Sequence, residues 1–282
     1  MANNTYDLLS ESLAGHRPIL RQVKNFYSDA LDRKVQFDVY LPAAYHFFLQ
    51  KRYPLLLFND GQDLPVMHLV DKLADLYRKK AVRPIIAVGI HASRDRMREY
   101  GVVSRPDYRG RGDRAPQYAR FIFSELLPYL NGTFRLTGVT AETAIAGFSL
   151  GGLSALDIAW ANPGIFGVAG VFSGALWWRW EPVHSRADPD AARIMHHIIR
   201  SAAAKNEGQR FWFEVGTNDE TEDRNNNNVI DAIDDTIDLI RELKLKGVPD
   251  ADIRYLEIQG GQHNPQTWGL AVSDFLLWTY PR

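Results

Sequence analysis

The sequence predicts an α/β fold in which a mostly parallel sheet carries helices on both faces. Short, nearly all-apolar runs recur along the 282-residue chain, as expected of strands that are buried on both sides. Segments with helical periodicity lie between these runs. Because strand and helix alternate strictly, right-handed crossovers around one parallel sheet are expected. No linker or internal repeat interrupts the pattern, so residues 1–282 are expected to form one domain.

The individual elements follow in chain order. An alternating run, Lys34–Leu41, predicts an early antiparallel strand. Apolar runs predict six further strands: Tyr53–Asn59, Pro84–Ile90, Thr143–Phe148, Val168–Gly174, Phe211–Gly216 and Ile253–Ile258. Helical periodicity predicts six helices: Leu64–Lys80, Gln117–Asn131, Leu150–Asn162, Asp190–Lys205, Val229–Lys246 and Gly269–Tyr280. Residues 1–32 are expected to be an N-terminal extension, and residues 175–207 a small cap insertion.

Composition excludes several classes of function. A formal net charge of −1 argues against a nucleic-acid partner, which would favour a basic surface. The chain has no cysteine, which excludes disulfides, thiolate metal sites and cysteine nucleophiles. No segment approaches the roughly 18 consecutive apolar residues of a membrane helix, and the first thirty residues lack a signal-peptide core. We therefore expect no membrane partner and a cytoplasmic protein, with secretion of a trimmed chain left open; oligomeric state is not indicated.

A serine occupies a tight corner between a predicted strand and a predicted helix. Residues 147–151 read Gly-Phe-Ser-Leu-Gly, which fits the G-x-S-x-G nucleophile elbow, and the strand before and helix after are the context that this pattern requires. A serine held in so strained a turn leaves no room for side chains two positions away, which explains the glycines. Ser149 is thus the candidate nucleophile. The alternative is a glycine-rich turn with an incidental serine.

A serine nucleophile needs a histidine base, which in this type of sheet follows the serine and an acid along the chain. Four of the eight histidines follow Ser149. His196 and His197 lie within a helical pattern, and His184 has no strand before it. His263 follows a strand and a flexible Gly-Gly segment, where a loop places an imidazole over the sheet edge. His263 is the candidate base; the alternative is a loop histidine that caps the last helix.

The acid that orients this histidine is expected at the end of the preceding strand. Asp219 follows that strand by a short turn, whereas Glu214 lies inside it and Glu220 lies further out. Asp219 is therefore the candidate acid, which holds His263 in the correct tautomer without being protonated itself. The alternative is one more solvated carboxylate in an acidic loop.

The negative charge that develops on an attacked carbonyl needs two backbone N–H donors. One is expected from Leu150, the residue after the nucleophile. The other is expected from the Asp-Gly-Gln segment, residues 60–62, which follows an early strand, so the N–H of Gln62 is the candidate. The alternative is a plain strand-ending turn, for which Asn-Asp-Gly is well suited.

Three tryptophans lie near the predicted catalytic edge. Trp177 and Trp178 follow a strand end, between nucleophile and acid, where substrate walls are commonly inserted, and Trp268 follows His263. They are candidate substrate contacts for an aromatic or sugar-containing ligand; the alternative is packing of surface segments onto the domain.

The asparagine-rich segment that begins at Asp223 has the spacing of a calcium loop. Oxygen ligands would come from Asp223, Asn225, Asn227, Val229 through its carbonyl, Asp231 and Asp234. Against this, Asn228 replaces the usual glycine and Asp234 the usual glutamate. The alternative is a polar loop before an acidic helix start, favoured by the helix dipole. A structural calcium ion would stiffen the loop that carries Asp219.

The chain also resembles a known family. The segments "LLLFNDGQDL", "REYGV", "GFSLGG", "FSGALWW", "VGTNDE" and "GGQHNPQTW" stand in the order and context of the putative-esterase family of α/β-hydrolases, which includes esterase D-like, feruloyl, acetyl-xylan and enterochelin esterases. The resemblance covers the chain from about Val35 onward. It implies an α/β-hydrolase fold and the same triad and amides. One departure is that Gln262 stands between Gly261 and His263.

Together these features predict a serine esterase that cleaves a small-molecule carboxylic ester through an acyl-enzyme. This chemistry requires no cofactor. Acyl transfer to another alcohol uses the same residues, and a non-catalytic protein that retains the hydrolase fold is the alternative from another class. A binding protein has no need of serine, acid and histidine together, and this chain has all three.

Overall fold

A computed structural model describes residues 15–183, 189–203 and 208–282, and within them the chain forms one eight-stranded sheet. The strands are β1 (Ile19–Ser28), β2 (Arg33–Leu41), β3 (Leu55–Asn59), β4 (Ile86–Ile90), β5 (Thr143–Phe148), β6 (Val168–Phe172), β7 (Arg210–Asn218) and β8 (Ile253–Gln262). Their order across the sheet is β1-β2-β4-β3-β5-β6-β7-β8. The predicted mostly parallel sheet is confirmed.

Strand direction separates one edge of the sheet from the rest. β1 runs antiparallel to β2, and β2 runs antiparallel to β4. From β4 to β8 every neighbouring pair is parallel. The carboxyl ends of these six strands therefore meet at one edge, which is where ligands bind in such sheets.

Helices cross between the parallel strands. They are α1 (Leu69–Arg78), α2 (Arg96–Glu99), α3 (Ala115–Phe121), α4 (Leu127–Thr133), α5 (Leu150–Ala161), α6 (Ile194–Ser201), α7 (Asp231–Leu245) and α8 (Pro265–Thr279). A π-helical turn, Ile122–Leu126, joins α3 to α4. None of the helices in these ranges is both long and apolar enough to cross a membrane.

Of the boundaries that differ from the sequence-based expectation, two have a clear physical reason. The expected N-terminal extension, residues 1–32, contributes β1 to the sheet, and residues 1–14 lie outside the described ranges. Most side chains of β1 are exposed because it is an edge strand, so it lacks the apolar run that marks the central strands. The last helix begins at Pro265 rather than Gly269, since Asn264 caps it by accepting a hydrogen bond from Thr267 N at 3.0 Å.

The expected cap insertion, residues 175–207, is described in part. It contains a 3₁₀ turn, Pro189–Ala192, followed by α6, and α6 packs against α7. Residues 184–188 and 204–207, with His184 and the end of the predicted helix Asp190–Lys205, lie outside the described residues.

The core consists of two buried apolar layers, one on each face of the sheet. One layer packs the inner faces of α3, α4 and α5 onto the strands, with Phe121, Leu130 and Leu156 fully buried. The other packs α1 and α8, with Leu73 and Phe275 in its centre. Strands between two such layers are apolar on both faces, which explains why the central strands are readable from sequence.

The loop after β3 approaches β4 so closely that only glycine fits at Gly61. A Cβ atom added there would lie 2.2 Å from the carbonyl carbon of Gly89. We expect Gly61→Ala to lower the free energy of unfolding by roughly 1–3 kcal/mol or more, because backbone has to move. Gly132→Ala is the matched control: it lies in α4 and a Cβ there meets nothing within 4 Å. Urea denaturation compares them, and equal stabilities of the two variants would contradict the packing.

Candidate active site

The backbone at Ser149 is held in a conformation that few residues adopt. Ser149 stands between β5 and α5 with φ 55° and ψ −126°. Its amide donates to Phe172 O at 2.9 Å, and its carbonyl accepts from Ala175 N at 3.0 Å. These bonds to β6 and to the segment after it fix the corner, since such strain persists only where the surroundings determine it.

Glycines at 147 and 151 make this corner possible. A Cβ atom on Gly147 would lie 2.5 Å from Gly151 O, and one on Gly151 would lie 2.6 Å from Asp60 Oδ2. The start of α5 therefore packs directly on the end of β5 and on the loop after β3. This close approach is the physical reason for the G-x-S-x-G spacing.

A buried polar network supports the corner from below. Asn59 Nδ2 donates to Gly151 O at 2.8 Å, and Tyr118 Oη donates to Asn59 Oδ1 at 2.6 Å. Arg96 binds the Asp60 carboxylate through two hydrogen bonds, Nε to Oδ1 at 2.6 Å and Nη2 to Oδ2 at 2.8 Å. Asp60 N also donates to Tyr100 Oη at 3.2 Å. Each buried charge is thus paired, as burial requires.

This network contains two residues that sequence reasoning did not single out. Arg96 and Tyr118 are far from Ser149 along the chain, and no motif marks them. The one available signal was Asn59 and Asp60, two polar residues directly at the end of an apolar strand.

The two candidate oxyanion donors lie at the ends of β3 and β5. Asp60 adopts a left-handed conformation with φ 57°, which turns the chain into the 3₁₀ turn Gly61–Asp63. The Gln62 side chain is held in place because its Oε1 accepts from Ala92 N at 3.0 Å. Within the described residues, neither the Gln62 N–H nor the Leu150 N–H donates to another group. Both amides are therefore available to a ligand.

His263 and Asp219 meet at the carboxyl ends of β7 and β8. His263 Nδ1 lies 3.3 Å from Asp219 Oδ2. The Asp219 side chain is 1% exposed and the His263 side chain is 41% exposed. A buried carboxylate thus faces one ring nitrogen, while part of the imidazole is open to solvent. This is the arrangement that orients a histidine base.

Trp268 connects His263 to the serine corner. Its ring stacks on Phe148, with centroids 4.2 Å apart and planes 16° apart, and it meets the His263 ring edge-on at 5.2 Å. Trp268 Nε1 donates to Ser173 Oγ at 2.9 Å. Phe148 directly precedes Ser149, so Trp268 holds the histidine loop against the end of β5. No hydrogen bond between described residues joins Ser149 Oγ to His263; such contacts commonly tighten on substrate binding.

Of the three candidate substrate tryptophans, two are packed inside the protein. Trp178 is 0% exposed, and its ring lies against Gly101 and Gly112. Trp268 is 4% exposed and stacks on Phe148. Both therefore fit the packing alternative rather than direct substrate contact. Trp177 is half-buried, with the Arg111 guanidinium 5.0 Å from its ring centroid, and keeps a surface available to a ligand.

The two other described histidines after Ser149 lie away from this site. His196 is fully buried in α6, where its Nε2 lies 2.8 Å from Asp235 O. Burial, with the charge of Arg193 beside it, holds the pKa of His196 well below its usual value. His197 neighbours Trp180 and Ser201.

The candidate calcium loop is closed by its own hydrogen bonds. The Asp223 carboxylate accepts from the amides of Asn227 and Asn228 at 3.1 and 2.9 Å. The side-chain amides of Asn225 and Asn227 donate to Asp234 Oδ2 at 2.8 and 2.9 Å.

Arg224 supplies a positive charge beside this loop. Its guanidinium lies 3.0 Å from Asp231 Oδ1 and 2.8 Å from Asp235 Oδ1. In the described ranges no group of three or more His, Asp or Glu side chains is arranged to hold a metal ion.

Glu214 is a buried acid beside the candidate triad. It lies in β7, its side chain is fully buried, and neither carboxyl oxygen has a hydrogen-bond partner in the described part of the chain. Burial, reinforced by the negative charge of Asp219, raises its pKa from 4.5 to about 8. The carboxyl group is therefore mostly protonated at neutral pH. A glutamate inside the apolar run "FWFEVG" was the sequence signal.

Comparison with known proteins assigns the chain to a family. The family model described as "Putative esterase" matches residues 28–279. The chain belongs to this family. Two relatives from Bacillus subtilis (strain 168) are "Uncharacterized protein YjcH", 26% identical over 147 residues, and "Uncharacterized protein YbbA", 24% identical over 170 residues. The matches cover 52% and 58% of this chain, and 58% and 67% of those proteins.

Similar solved structures show the fold of this chain. A ferulic acid esterase superposes with a TM-score of 0.71 at 18% identity, covering 94% of this chain and 98% of the other. The enterobactin esterase FES from Shigella flexneri superposes with a TM-score of 0.70 at 19% identity, covering 93% and 59%. An IroE-like serine hydrolase from Shewanella oneidensis gives 0.63 at 18% identity, covering 92% and 79%. The predicted α/β-hydrolase fold is confirmed.

The buried Glu214 carboxyl predicts a pH-dependent stability. Between pH 4.5 and about 8 the folded chain keeps the Glu214 proton that the unfolded chain releases. The free energy of unfolding therefore falls as pH rises through this window. In Glu214→Gln this fall is absent, so the variant gains stability relative to the wild type by on the order of 5 kcal/mol across the window.

Urea denaturation at several pH values between 4.5 and 8.5 measures this difference. Asp157→Asn is a control, because it alters another buried acid whose pKa is raised, to about 6, in α5. Its stability curve is expected to diverge from the wild type only below pH 6. Parallel curves for the wild type and Glu214→Gln would mean that Glu214 is not buried as a neutral acid.

Proposed function

We propose that this protein is a serine hydrolase that cleaves carboxylic esters, with Ser149 as nucleophile, His263 as base and Asp219 as the acid that orients it. The observation that carries the proposal is the strained corner at Ser149, which lies at the same sheet edge as the His263–Asp219 pair. Membership of the putative esterase family supports the same reaction class. A glycine-rich turn with an incidental serine would not require the strained backbone conformation of Ser149.

In the first half of the reaction, Ser149 Oγ attacks the ester carbonyl while His263 Nε2 takes the serine proton. Asp219 keeps the other ring nitrogen, Nδ1, protonated and stabilises the imidazolium that forms. The negative charge on the carbonyl oxygen is stabilised by the N–H groups of Gln62 and Leu150, which have no acceptor of their own among the described residues. His263 then gives its proton to the departing alcohol, which leaves an acyl group on Ser149.

In the second half, a water molecule takes the place of the alcohol. His263 removes a proton from this water as it attacks the acyl carbonyl, and the same two amides stabilise the second tetrahedral intermediate. The proton then returns to Ser149 Oγ as the acid is released. Apart from the substrate and this water, both halves use only groups of the chain, and the 41% exposure of His263 gives water access to the base.

Esters of aromatic acids are the substrate class that we propose to test first. Trp177 presents a partly exposed indole two residues after Ala175, which binds the carbonyl of Ser149. A flat aromatic acyl group gains favourable stacking on such a ring. Two structural relatives are described as a ferulic acid esterase and as an enterobactin esterase in the presence of 2,3-dihydroxy-N-benzoyl-glycine, and ferulic acid and this compound both carry an aromatic ring.

A fluorophosphonate probe tests the nucleophile directly. The wild type is expected to be labelled at Ser149, and Ser149→Ala to lose labelling because the reactive hydroxyl beside His263 is gone. Ser201→Ala, which alters an exposed serine at the end of α6, is the control that keeps full labelling. Mass spectrometry of tryptic peptides locates the adduct. A folded wild type that stays unlabelled would refute the serine mechanism.

Loss of the acid tests the triad. Asp219→Asn is expected to lower kcat by about 10⁴-fold with little change in KM, because the histidine is then held in the wrong tautomer. Glu222→Gln is the matched control, since it neutralises an exposed acid of the same loop and leaves kcat unchanged. Steady-state hydrolysis of p-nitrophenyl acetate gives both constants. Equal kcat values for the two variants would remove Asp219 from the mechanism.

A further inference from the structure

Two carboxyl groups with unsatisfied oxygens lie together at the end of β7. Both oxygens of Glu214, and Oδ1 of Asp219, are buried without a hydrogen-bond partner among the described residues. Asp219 Oδ2 faces His263, so Oδ1 is the oxygen that the proposed triad leaves unused. Buried polar atoms without partners are costly, and a cluster of them beside a reactive group calls for an explanation.

The strand geometry puts these groups on the same face of the sheet. Side chains alternate along β7, so Glu214 shares its face with Trp212 and Gly216. Trp212 contacts Phe275 of α8, which identifies this as the α8 face. A Cβ atom on Gly216 would lie 2.8 Å from Asp219 Oδ1, so the Asp219 carboxylate folds back over this same face.

The remaining titratable groups on the surrounding elements have other partners. Tyr255 on β8, which also interacts electrostatically with Glu214, donates its hydroxyl to Glu257 Oε1 at 2.9 Å. Asp274, the titratable residue of α8, accepts hydrogen bonds from Trp212 Nε1 and Arg254. Directly after β6, Ser173 N donates to the backbone oxygen of Glu214, so this contact does not involve the Glu214 carboxyl group.

Glu220, which follows Asp219, interacts electrostatically with three other acids rather than with Glu214. These are Glu222, Asp231 and Asp235. His263 is in contact with Asp219 alone of the two carboxyls at the end of β7. Asp219 is therefore the charge that acts on Glu214.

The unpartnered oxygens of Glu214 and Asp219 can both form hydrogen bonds if one carboxyl group is protonated and the other is ionised. A protonated carboxyl group has one O–H donor, and an ionised carboxylate only accepts. Two ionised carboxylates at this position would repel one another in a poorly solvated site. Burial and the Asp219 charge raise the pKa of Glu214 to about 8, so it is the member that keeps a proton near neutrality.

We propose that Glu214 is a positioning residue for the triad: its carboxyl proton is donated to Asp219 Oδ1, directly or through one buried water. This inference rests on the proposed function, since it takes Asp219 as the acid that orients His263. Glu214 acts on the reaction only through Asp219. A hydrogen bond from Glu214 to Oδ1 leaves Asp219 Oδ2 free to face His263, and it prevents the Asp219 carboxylate from rotating away from the imidazole.

Ionisation of Glu214 sets an alkaline limit to the reaction. Above about pH 8 Glu214 loses its proton, the donor to Asp219 disappears, and two like charges face each other. We therefore expect kcat/KM of the wild type to fall above this pH. Glutamine keeps a donor and a similar shape but does not ionise, so the fall is expected to be absent in Glu214→Gln. Glu214→Leu, which has no donor, is expected to lose about 10–100-fold in kcat at all pH values with KM unchanged.

The test compares pH profiles of p-nitrophenyl acetate hydrolysis for wild type, Glu214→Gln, Glu214→Leu and Asp157→Asn. Asp157 is a buried acid in α5 that contacts Val103 N, and its variant is expected to keep the alkaline fall. An alkaline fall in Glu214→Gln equal to that of the wild type would overturn the proposal, and so would full kcat in Glu214→Leu. If Glu214→Leu does not fold, the Glu214→Gln profile decides alone.

An infrared difference spectrum separates this proposal from the proposed function, because it requires no turnover. Wild type minus Glu214→Gln at pH 6.5 is expected to show the stretch of a protonated carboxyl group, and this band is expected to shift in an Asp219→Asn background. Absence of the band, or a band that Asp219→Asn does not move, would overturn the role of Glu214. If the band is present and shifts, but the wild type hydrolyses p-nitrophenyl acetate no faster than Ser149→Ala, the esterase proposal is overturned instead.

Discussion

The strained backbone of Ser149 is the constraint on which the rest of the site depends. A residue at φ 55° and ψ −126° is stable only if its neighbours hold it there. They do so through the bonds from its amide to Phe172 O and from Ala175 N to its carbonyl, and through the missing side chains of Gly147 and Gly151. The same close approach brings α5, β5 and the loop after β3 together, so the serine and both candidate oxyanion amides share one corner.

Buried charged groups position the residues on both sides of this corner. On one side, Arg96 neutralises Asp60 and fixes the turn that presents the Gln62 N–H. On the other, the buried Asp219 faces a half-exposed His263, with the uncharged Glu214 behind it. Trp268 joins the two sides, since it packs between Phe148 and His263. Electrostatic preorganisation of this kind is the largest contribution in many hydrolytic enzymes, because the dipoles are in place before charge develops.

The sequence predicted the central strands and the catalytic corner because both follow from local rules. Strands β3 to β7 are apolar on both faces, and the G-x-S-x-G spacing marks its own strand and helix. β1 was missed since an edge strand carries no apolar run. Arg96 and Tyr118 were missed because their roles depend on contacts between residues far apart in the chain. Glu214 was considered only as the triad acid, because its burial without a partner depends on how the sheet packs. Trp178 and Trp268 carried an ambiguous signal, as an aromatic residue near a site fits packing and binding equally well until its exposure is known.

The most direct measurement is a crystal structure of the protein after reaction with a fluorophosphonate, whose adduct mimics the tetrahedral intermediate. We expect phosphorus bonded to Ser149 Oγ, its oxygen about 2.7–3.1 Å from the N–H groups of Gln62 and Leu150, and His263 within hydrogen-bond distance of the adduct. An adduct on another residue, or a phosphonyl oxygen that points away from both amides, would contradict the account.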